Sequence, residues 1–498
     1  MTGERMKNSR EFFQFDFSRT LYPLKTNRIL VEHHGKELEE FVYQKVLNPN
    51  ESAAKFLPQQ RVYAPKPHGH LRRTFKLDPV AEFFIYDLVY RHRAHFKRSQ
   101  KNTRQNFGYR FSQAKPIPIS RSYKAFRRRV SELKKEHKFC LSFDIASYFN
   151  TLYHHDLVAW LEDEVNATPK DVSAFGEFLR EINSGRSFDC LPQGLYPTKM
   201  IGNSFLRFID QHFSVNSAVL LRFMDDIYLF DSNHKFVEAD FVLIQQLLGE
   251  KGLNINPSKT YSGDGVEADM TRRVSAIRKR LKTIVSEVRS TESGVELFST
   301  VVVRKLSTSE VKELEKLLES PKLEEEDAEV ILALLQKHAR NAIAHLPSLL
   351  EKFPNLTKSI YRICRLVKDK DALRSVINAH LKLDNRLDEF QLFWIGAIVE
   401  DFLFGHVALD SLLPQLWIRA RDIGAKIAMA KVLEIPEKKY GMLDLKEQYL
   451  KTGQSDWLSW SAAVGIRCLM KGKRNHLIKY FCNGSMLNHL VGTCALKL

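Results

Sequence analysis

Long apolar runs are missing from this 498-residue chain. No stretch of about 18 apolar residues occurs, so no segment is expected to cross a bilayer as a helix. The first ten residues, Met1 to Arg10, are polar and have no apolar signal core, which gives an expectation of a cytoplasmic protein. Cysteine is sparse and unpaired in pattern. Cys140, Cys190, Cys364, Cys468, Cys482 and Cys494 form no Cys-x-x-Cys motif, so neither a zinc site nor a disulfide framework is expected. Acid is also short, with 59 Asp and Glu against 76 Lys and Arg, a formal charge of +17. The length is enough for two or three domains, each with its own core.

The positive charge is concentrated. Between Arg91 and Lys138 sixteen Lys and Arg face only Glu132 and Glu136, which accounts for +14 of the +17. Phe96, Phe107, Tyr109, Phe111, Tyr123 and Phe126 are interleaved with them. Cations mixed with rings that can stack on bases are what single-stranded nucleic acid or a nucleoside triphosphate requires, and this segment is expected to bind one of them.

From about residue 60 to 290 strand-like and helix-like segments alternate, as in a mixed α/β domain. Phe139, Leu141 and Phe143 alternate with Cys140, Ser142 and Asp144, placing Asp144 at the end of a half-buried strand. The apolar positions Val274, Ile277, Leu281, Ile284, Val285 and Val288 keep helical spacing among basic residues, which predicts a basic amphipathic helix. After about residue 305 apolar residues recur at three and four. The windows run Val311 to Leu318, Val330 to His338, Ile360 to Val367, Phe390 to Phe404, Leu412 to Ile423 and Trp457 to Met470. Successive helices with short breaks predict an all-α domain of stacked hairpins, solenoid or bundle.

Chemistry gathers around Phe223-Met224-Asp225-Asp226, two adjacent acids between short apolar runs that read as a hairpin. Carboxylates at a hairpin edge suit a hard divalent cation, which takes carboxylate oxygens together with substrate phosphates. Two-metal nucleotidyl transfer needs carboxylates from two strands, and Asp144 with Asp225 can supply them. Between them lies Leu191-Pro192-Gln193-Gly194-Leu195-Tyr196-Pro197-Thr198, a turn leading to a helix that carries Asn203. Beyond them lies Gly252-Leu253-Asn254-Ile255-Asn256-Pro257-Ser258-Lys259-Thr260.

This ordered set resembles the reverse transcriptase family. Asp144 with the aromatic Phe149 five residues on is similar to that family's first catalytic motif. Gln193-Gly194 with Thr198 and Asn203 is similar to its second, Phe223 to Asp226 to its third, and Leu253 to Thr260 to its fourth. Pro65-Lys66-Pro67-His68-Gly69-His70-Leu71-Arg72 resembles the phosphate-contacting part of the fingers, so the likeness runs over about residues 60 to 265.

The resemblance implies an α+β fold, right-hand fingers and palm over 1–295, followed by an all-α, HEAT-repeat-like domain over 296–498. It implies that Asp144, Asp225 and Asp226, with the carbonyl of Ile145, hold two Mg²⁺ ions, Mn²⁺ being a possible substitute. Asp144, Asp225, Asp226 and Lys259 would be catalytic. Lys66, Arg72, Phe149, Gln193 and Gly194 would bind the deoxynucleoside triphosphate, with Phe149 rejecting the 2′-hydroxyl. Lys259 would protonate the leaving pyrophosphate or pair with a phosphate.

Departures narrow the likeness. Thr198 stands where serine is usual. Tyr261-Ser262-Gly263-Asp264-Gly265 replaces a Phe-Leu-Gly primer grip, and neither a ribonuclease H nor a His/Asn nuclease pattern follows. The chain is similar to the abortive-infection (AbiK-like) branch of bacterial antiphage polymerases. That branch implies a homo-oligomer, trimer or hexamer, and untemplated single-stranded DNA that can be attached covalently to a tyrosine. Tyr22, Tyr43 and Tyr63 are candidates, with Tyr22 expected on an extended, exposed segment before Pro23. Two other readings stand beside it: a conventional RNA-templated reverse transcriptase, and a non-catalytic nucleic-acid-binding scaffold. The second would be expected to have lost one of the three carboxylates.

Overall fold

The structure, a computed structural model, describes residues 6–48, 54–66, 69–97, 103–184, 190–262, 306–320, 323–383, 387–405 and 409–498. The basic amphipathic helix expected near residues 274–288 and the expected domain boundary at 295/296 lie outside the described residues, as do Pro67 and His68.

A five-stranded sheet organises the first half. Its order is β3 (Arg104–Asn106), β7 (Val219–Phe223), β8 (Asp226–Asp231), β6 (Phe139–Phe143), β9 (Tyr261–Ser262). The short strands β4 (Phe111–Ser112) and β5 (Lys115–Pro116) make a separate small hairpin, and β1 (Gln60–Pro65) pairs antiparallel with β2 (Leu71–Lys76). Val, Leu, Ile and aromatic residues fill β7 and β8, and nearly every residue of the two is buried, as a strand covered on both faces requires. One face meets the helix Ile119–Glu136, where Phe126 packs on Phe223 and Tyr228. The other meets His234–Gly249, whose Phe241 packs on Phe143. Helix Pro79–Arg91 begins with proline behind an Asp78 cap that accepts the N–H groups of Val80 and Ala81, and is buried along almost its whole length.

The second half is helical in two rows. Helices Thr357–Cys364, Glu389–Ile398, Lys426–Glu434, Trp457–Gly465 and Met486–Lys497 stack one on the next. Leu346–Lys352, Lys370–Lys382 and Leu409–Asp422 form a second row, which Met442–Lys451 and Lys471–Cys482 continue as a pair. In the first row Glu389–Ile398, Lys426–Glu434 and Trp457–Gly465 are apolar or buried on nearly every side. Lys370–Lys382 instead buries only a stripe, Leu373, Ile377, His380 and Leu381. Stacked antiparallel helices of this kind form an α-solenoid.

The two halves share a core. Tyr22 inserts between Phe390 and Phe393, with edge-to-face ring separations of 5.9 and 5.2 Å. Beside it, buried Lys431 reaches Glu400 at 2.6 Å and Glu434 at 2.8 Å, and Glu434 also accepts from the backbone N–H (2.8 Å) and hydroxyl (3.0 Å) of Thr26. Lys25 pairs with Asp401 at 2.6 Å and Glu400 at 3.1 Å. Residues near the N-terminus thus belong to the solenoid's packing as well as to the sheet's.

Candidate active site

The β7–β8 hairpin closes in two residues, Met224 and Asp225, between the paired Phe223 and Asp226. Met224 has φ 58, a left-handed conformation that costs a non-glycine residue about 1 kcal/mol. Arg222, fully enclosed, holds the turn by donating to the Met224 carbonyl at 3.0 Å while its other nitrogens reach Asp210 at 2.6 and 2.8 Å. The hairpin is therefore braced from beneath.

Register brings the third acid in. Phe143 lies opposite Ile227, so the next position along each strand sets Asp144 against Asp226. The chain beyond Asp144 is pinned by two bonds, Asn256 N–H to the Asp144 carbonyl (2.7 Å) and Ala146 N–H to the Asn254 carbonyl (2.8 Å). The Ile145 carbonyl is outside both. The Asn-x-Asn spacing of the fourth motif thus positions the first motif.

Asp144 is 7% exposed, and its pKa is pushed up to about 7 by burial first and then by the Asp225 charge, with Lys259 opposing at 3.5 Å. Asp225 is raised by burial and by Asp226, against the pull of Arg72 and Lys259. Asp226 is raised by burial and by Asp144, against Lys259 and Arg127. Asp225 and Asp226 keep part of their surface in solvent, so mutual repulsion matters beside desolvation.

Cations approach from the hairpin β1–β2. Lys66 N–H donates to the His70 carbonyl at 2.7 Å and closes the hairpin end. The Lys66 ammonium is lowered by burial and by neighbouring Arg72 and Lys259, while Asp144 and Asp225 oppose the shift. The expected cations Lys66, Arg72 and Lys259 therefore share one field with the carboxylates. Arg127, which no motif singled out, joins them; its only sequence signal is membership of the run Arg127-Arg128-Arg129.

Gln193 and Gly194 pack against β2 and Leu21. The Thr74 hydroxyl of β2 donates to the Gln193 carbonyl, and Gly194 has φ 125 with Thr74 Oγ1 only 3.3 Å from where a Cβ would stand. Glycine is needed there for both reasons. Asn203 donates to the Tyr109 carbonyl at 3.1 Å and accepts from Arg222, so it knits the site's support rather than facing substrate.

Residues 89–267 match the family described as reverse transcriptase (RNA-dependent DNA polymerase). They are a reverse transcriptase domain. The chain is accordingly a nucleotidyltransferase, RNA-directed DNA polymerase-like. No curated protein matches it. Among solved structures, telomerase from Candida albicans in complex with a telomeric RNA fragment is 13% identical, with a TM-score of 0.33 over 77% of this chain and 70% of that one. The corresponding complex from Candida tropicalis is 14% identical, with a TM-score of 0.32 over 73% and 64%.

Within this reverse transcriptase domain and its flanks several expectations change. Tyr22 is not exposed. It is 3% exposed, its hydroxyl donates to the Tyr63 carbonyl at 2.7 Å, and burial raises its pKa well above the usual phenol value. The solenoid rings supply that burial, so in this conformation its hydroxyl cannot reach the carboxylates. The Tyr43 hydroxyl is tied to Asp87, whereas Tyr63 is 43% exposed. Phe149, expected to meet the sugar, is 3% exposed and packs against Gly202 and Tyr148. The six aromatics of the basic segment are all buried: they pack the domain, and exposure falls to cations such as Lys97, Arg121 and Lys124.

Among the described residues no three His, Cys, Asp or Glu side chains stand close enough to cage a metal by themselves. Mg²⁺ does not need a cage, since one or two carboxylates and substrate phosphates suffice. Three mutually repelling carboxyls fit such an ion.

Proposed function

We propose that this protein is a DNA polymerase adding deoxynucleotides at Asp144, Asp225 and Asp226, of the abortive-infection type that acts in bacterial antiphage defence. The observation that carries the catalytic reading is the convergence of those carboxylates with Lys66, Arg72 and Lys259 at the open end of the sheet. Bound there, Mg²⁺ or Mn²⁺ supplies charge neutralisation for the phosphate oxygens and acidifies the attacking hydroxyl. Asp144 and Asp225 hold the ions, with Asp226 and the Ile145 carbonyl beside them. Lys66 and Arg72 take the triphosphate, and Lys259 balances the charge on departing pyrophosphate or protonates it. Gln193 and Gly194 shape the wall against which the nucleotide rests.

The α-solenoid appended to the domain supports the abortive-infection branch, with its untemplated, protein-primed synthesis and homo-oligomeric assembly. Self-priming needs a hydroxyl other than Tyr22, and Tyr63 is the exposed one of the three tyrosines named above. Purified protein incubated with labelled deoxynucleotides and Mg²⁺, with and without a primed RNA template, tests this. Label migrating with denatured protein in the absence of nucleic acid supports the self-primed reading. Strict dependence on template and primer overturns it in favour of a conventional reverse transcriptase.

A further inference from the structure

Outside the carboxylate cleft, a cavity of about 980 Å³ opens between the end of helix Pro79–Arg91, the β4–β5 hairpin and the start of helix Ile119–Glu136. Its lining holds Arg91, Arg93, Lys97, Arg110 and Arg121 and no acidic side chain. Arg91 is already balanced by Asp87 at 2.9 Å and Asp171 at 2.6 Å. Arg93 donates to the Tyr90 carbonyl at 3.0 Å, and Arg110 donates to the carbonyls of Asn106 and Gly108 at 3.2 and 3.3 Å, neutral acceptors that fix the direction of each guanidinium. Lys97 and Arg121 are exposed. On the same wall Ser122 is 2% exposed, and its hydroxyl has no hydrogen-bond partner among the described residues. An enclosed hydroxyl without a partner beside several cations is what a bound oxyanion would satisfy.

We propose that this cavity binds the sugar-phosphate backbone of a single strand of nucleic acid, at a second place outside the catalytic cleft. A strand is favoured over a free nucleotide because the cations continue beyond the cavity. Arg121, Lys124 and Arg128 are exposed along helix Ile119–Glu136 at spacings of three and four, on one face. Arg127 of the same helix acts on Asp226, and from Arg121 to Arg127 the helix rises about 9 Å. One strand can therefore span from the carboxylates to the cavity. The inference rests on the polymerase reading only for the direction of that strand.

The test uses full-length protein and fluorescent oligo(dT) of graded length. The triple variant Arg93→Gln, Lys97→Gln, Arg121→Gln is expected to bind the longer oligonucleotides at least tenfold more weakly. Its log Kd against log salt slope should fall by about 2, at about 0.7 for each phosphate that is no longer neutralised. Binding is measured without deoxynucleotides, so that failure of the cavity is read separately from failure of catalysis. Unchanged affinity and salt slope in a triple variant that melts like wild type would overturn the proposal. So would complete displacement of the oligonucleotide from the wild type by inorganic triphosphate at concentrations that displace it equally from the triple variant. A second variant, Ser122→Ala, should weaken binding a few-fold with no change in salt slope.

Discussion

Among the described residues two clusters of charge, one enclosed and one at the cleft, are built on opposite plans. Where the solenoid meets the N-terminal segment, Lys431 stands between Glu400 and Glu434, with Lys25, Arg467 and Asp401 completing a set of three cations and three acids. Burial alone would lower the Lys431 ammonium, but Glu400 and Glu434 more than offset it, while Lys431 and Lys25 hold Glu400 below the usual carboxylate range. In the cleft, Asp144, Asp225 and Asp226 raise one another and the surrounding cations compensate only in part. The balanced group fixes two halves together. The unbalanced one leaves room for charge from outside, which is why binding and chemistry belong there.

Breaking each group should show the difference. The largest effect is expected from Asp225→Asn, which should lower deoxynucleotide incorporation about a thousandfold or more, some 4 kcal/mol of barrier, without lowering the melting temperature of the metal-free protein. Next comes Lys431→Met, which strands Glu400 and Glu434 in the interface and should cost about 3–5 kcal/mol in urea unfolding. Adding Glu434→Gln to it should recover part of that loss.

The pH dependence should separate the two groups again. A carboxyl at about 7 folded and 3.8 unfolded holds its proton more tightly when folded, so the stability it lends at low pH is lost as the pH rises from about 4 to about 7. In metal-free protein this decline should be on the order of 4 kcal/mol, and Asp144→Asn should flatten it. Glu400 works the other way, since its contribution is present above about pH 4.5 and is lost as the pH falls through its lower folded value. The smallest effect belongs to Tyr22→Phe. Losing one hydrogen bond to the Tyr63 carbonyl should cost about 1 kcal/mol in unfolding and leave any covalent labelling by nucleotides unchanged.

The palm was legible because its chemistry is written in short segments. Asp144, Gln193-Gly194, Asp225-Asp226 and Lys259 each carry a local pattern, and the sheet register then unites them. What remained hidden depends on distant partners. The Leu21-Tyr22-Pro23 context reads as exposed, and only Phe390 and Phe393, far along the chain, enclose it. The aromatics between Phe96 and Phe126 looked like base-stacking rings because spacing does not say which way a ring points. Several solenoid helices, Lys370–Lys382 and Lys471–Cys482 among them, were missed because each buries only a narrow stripe of four residues among polar neighbours. Arg127 went unnoticed because it is one of three consecutive arginines, and only its place beside β8 distinguishes it.

The central claim is that the unbalanced carboxylates transfer nucleotides with a divalent cation. It is tested most directly by measuring deoxynucleotide incorporation over a Mg²⁺ titration for wild type and Asp144→Asn, with thermal melting of both followed in parallel. The expected result is incorporation that saturates with Mg²⁺ in the wild type and is absent in the variant, together with a Mg²⁺-dependent rise in melting temperature seen only in the wild type. Equal incorporation by a folded Asp144→Asn protein would contradict it.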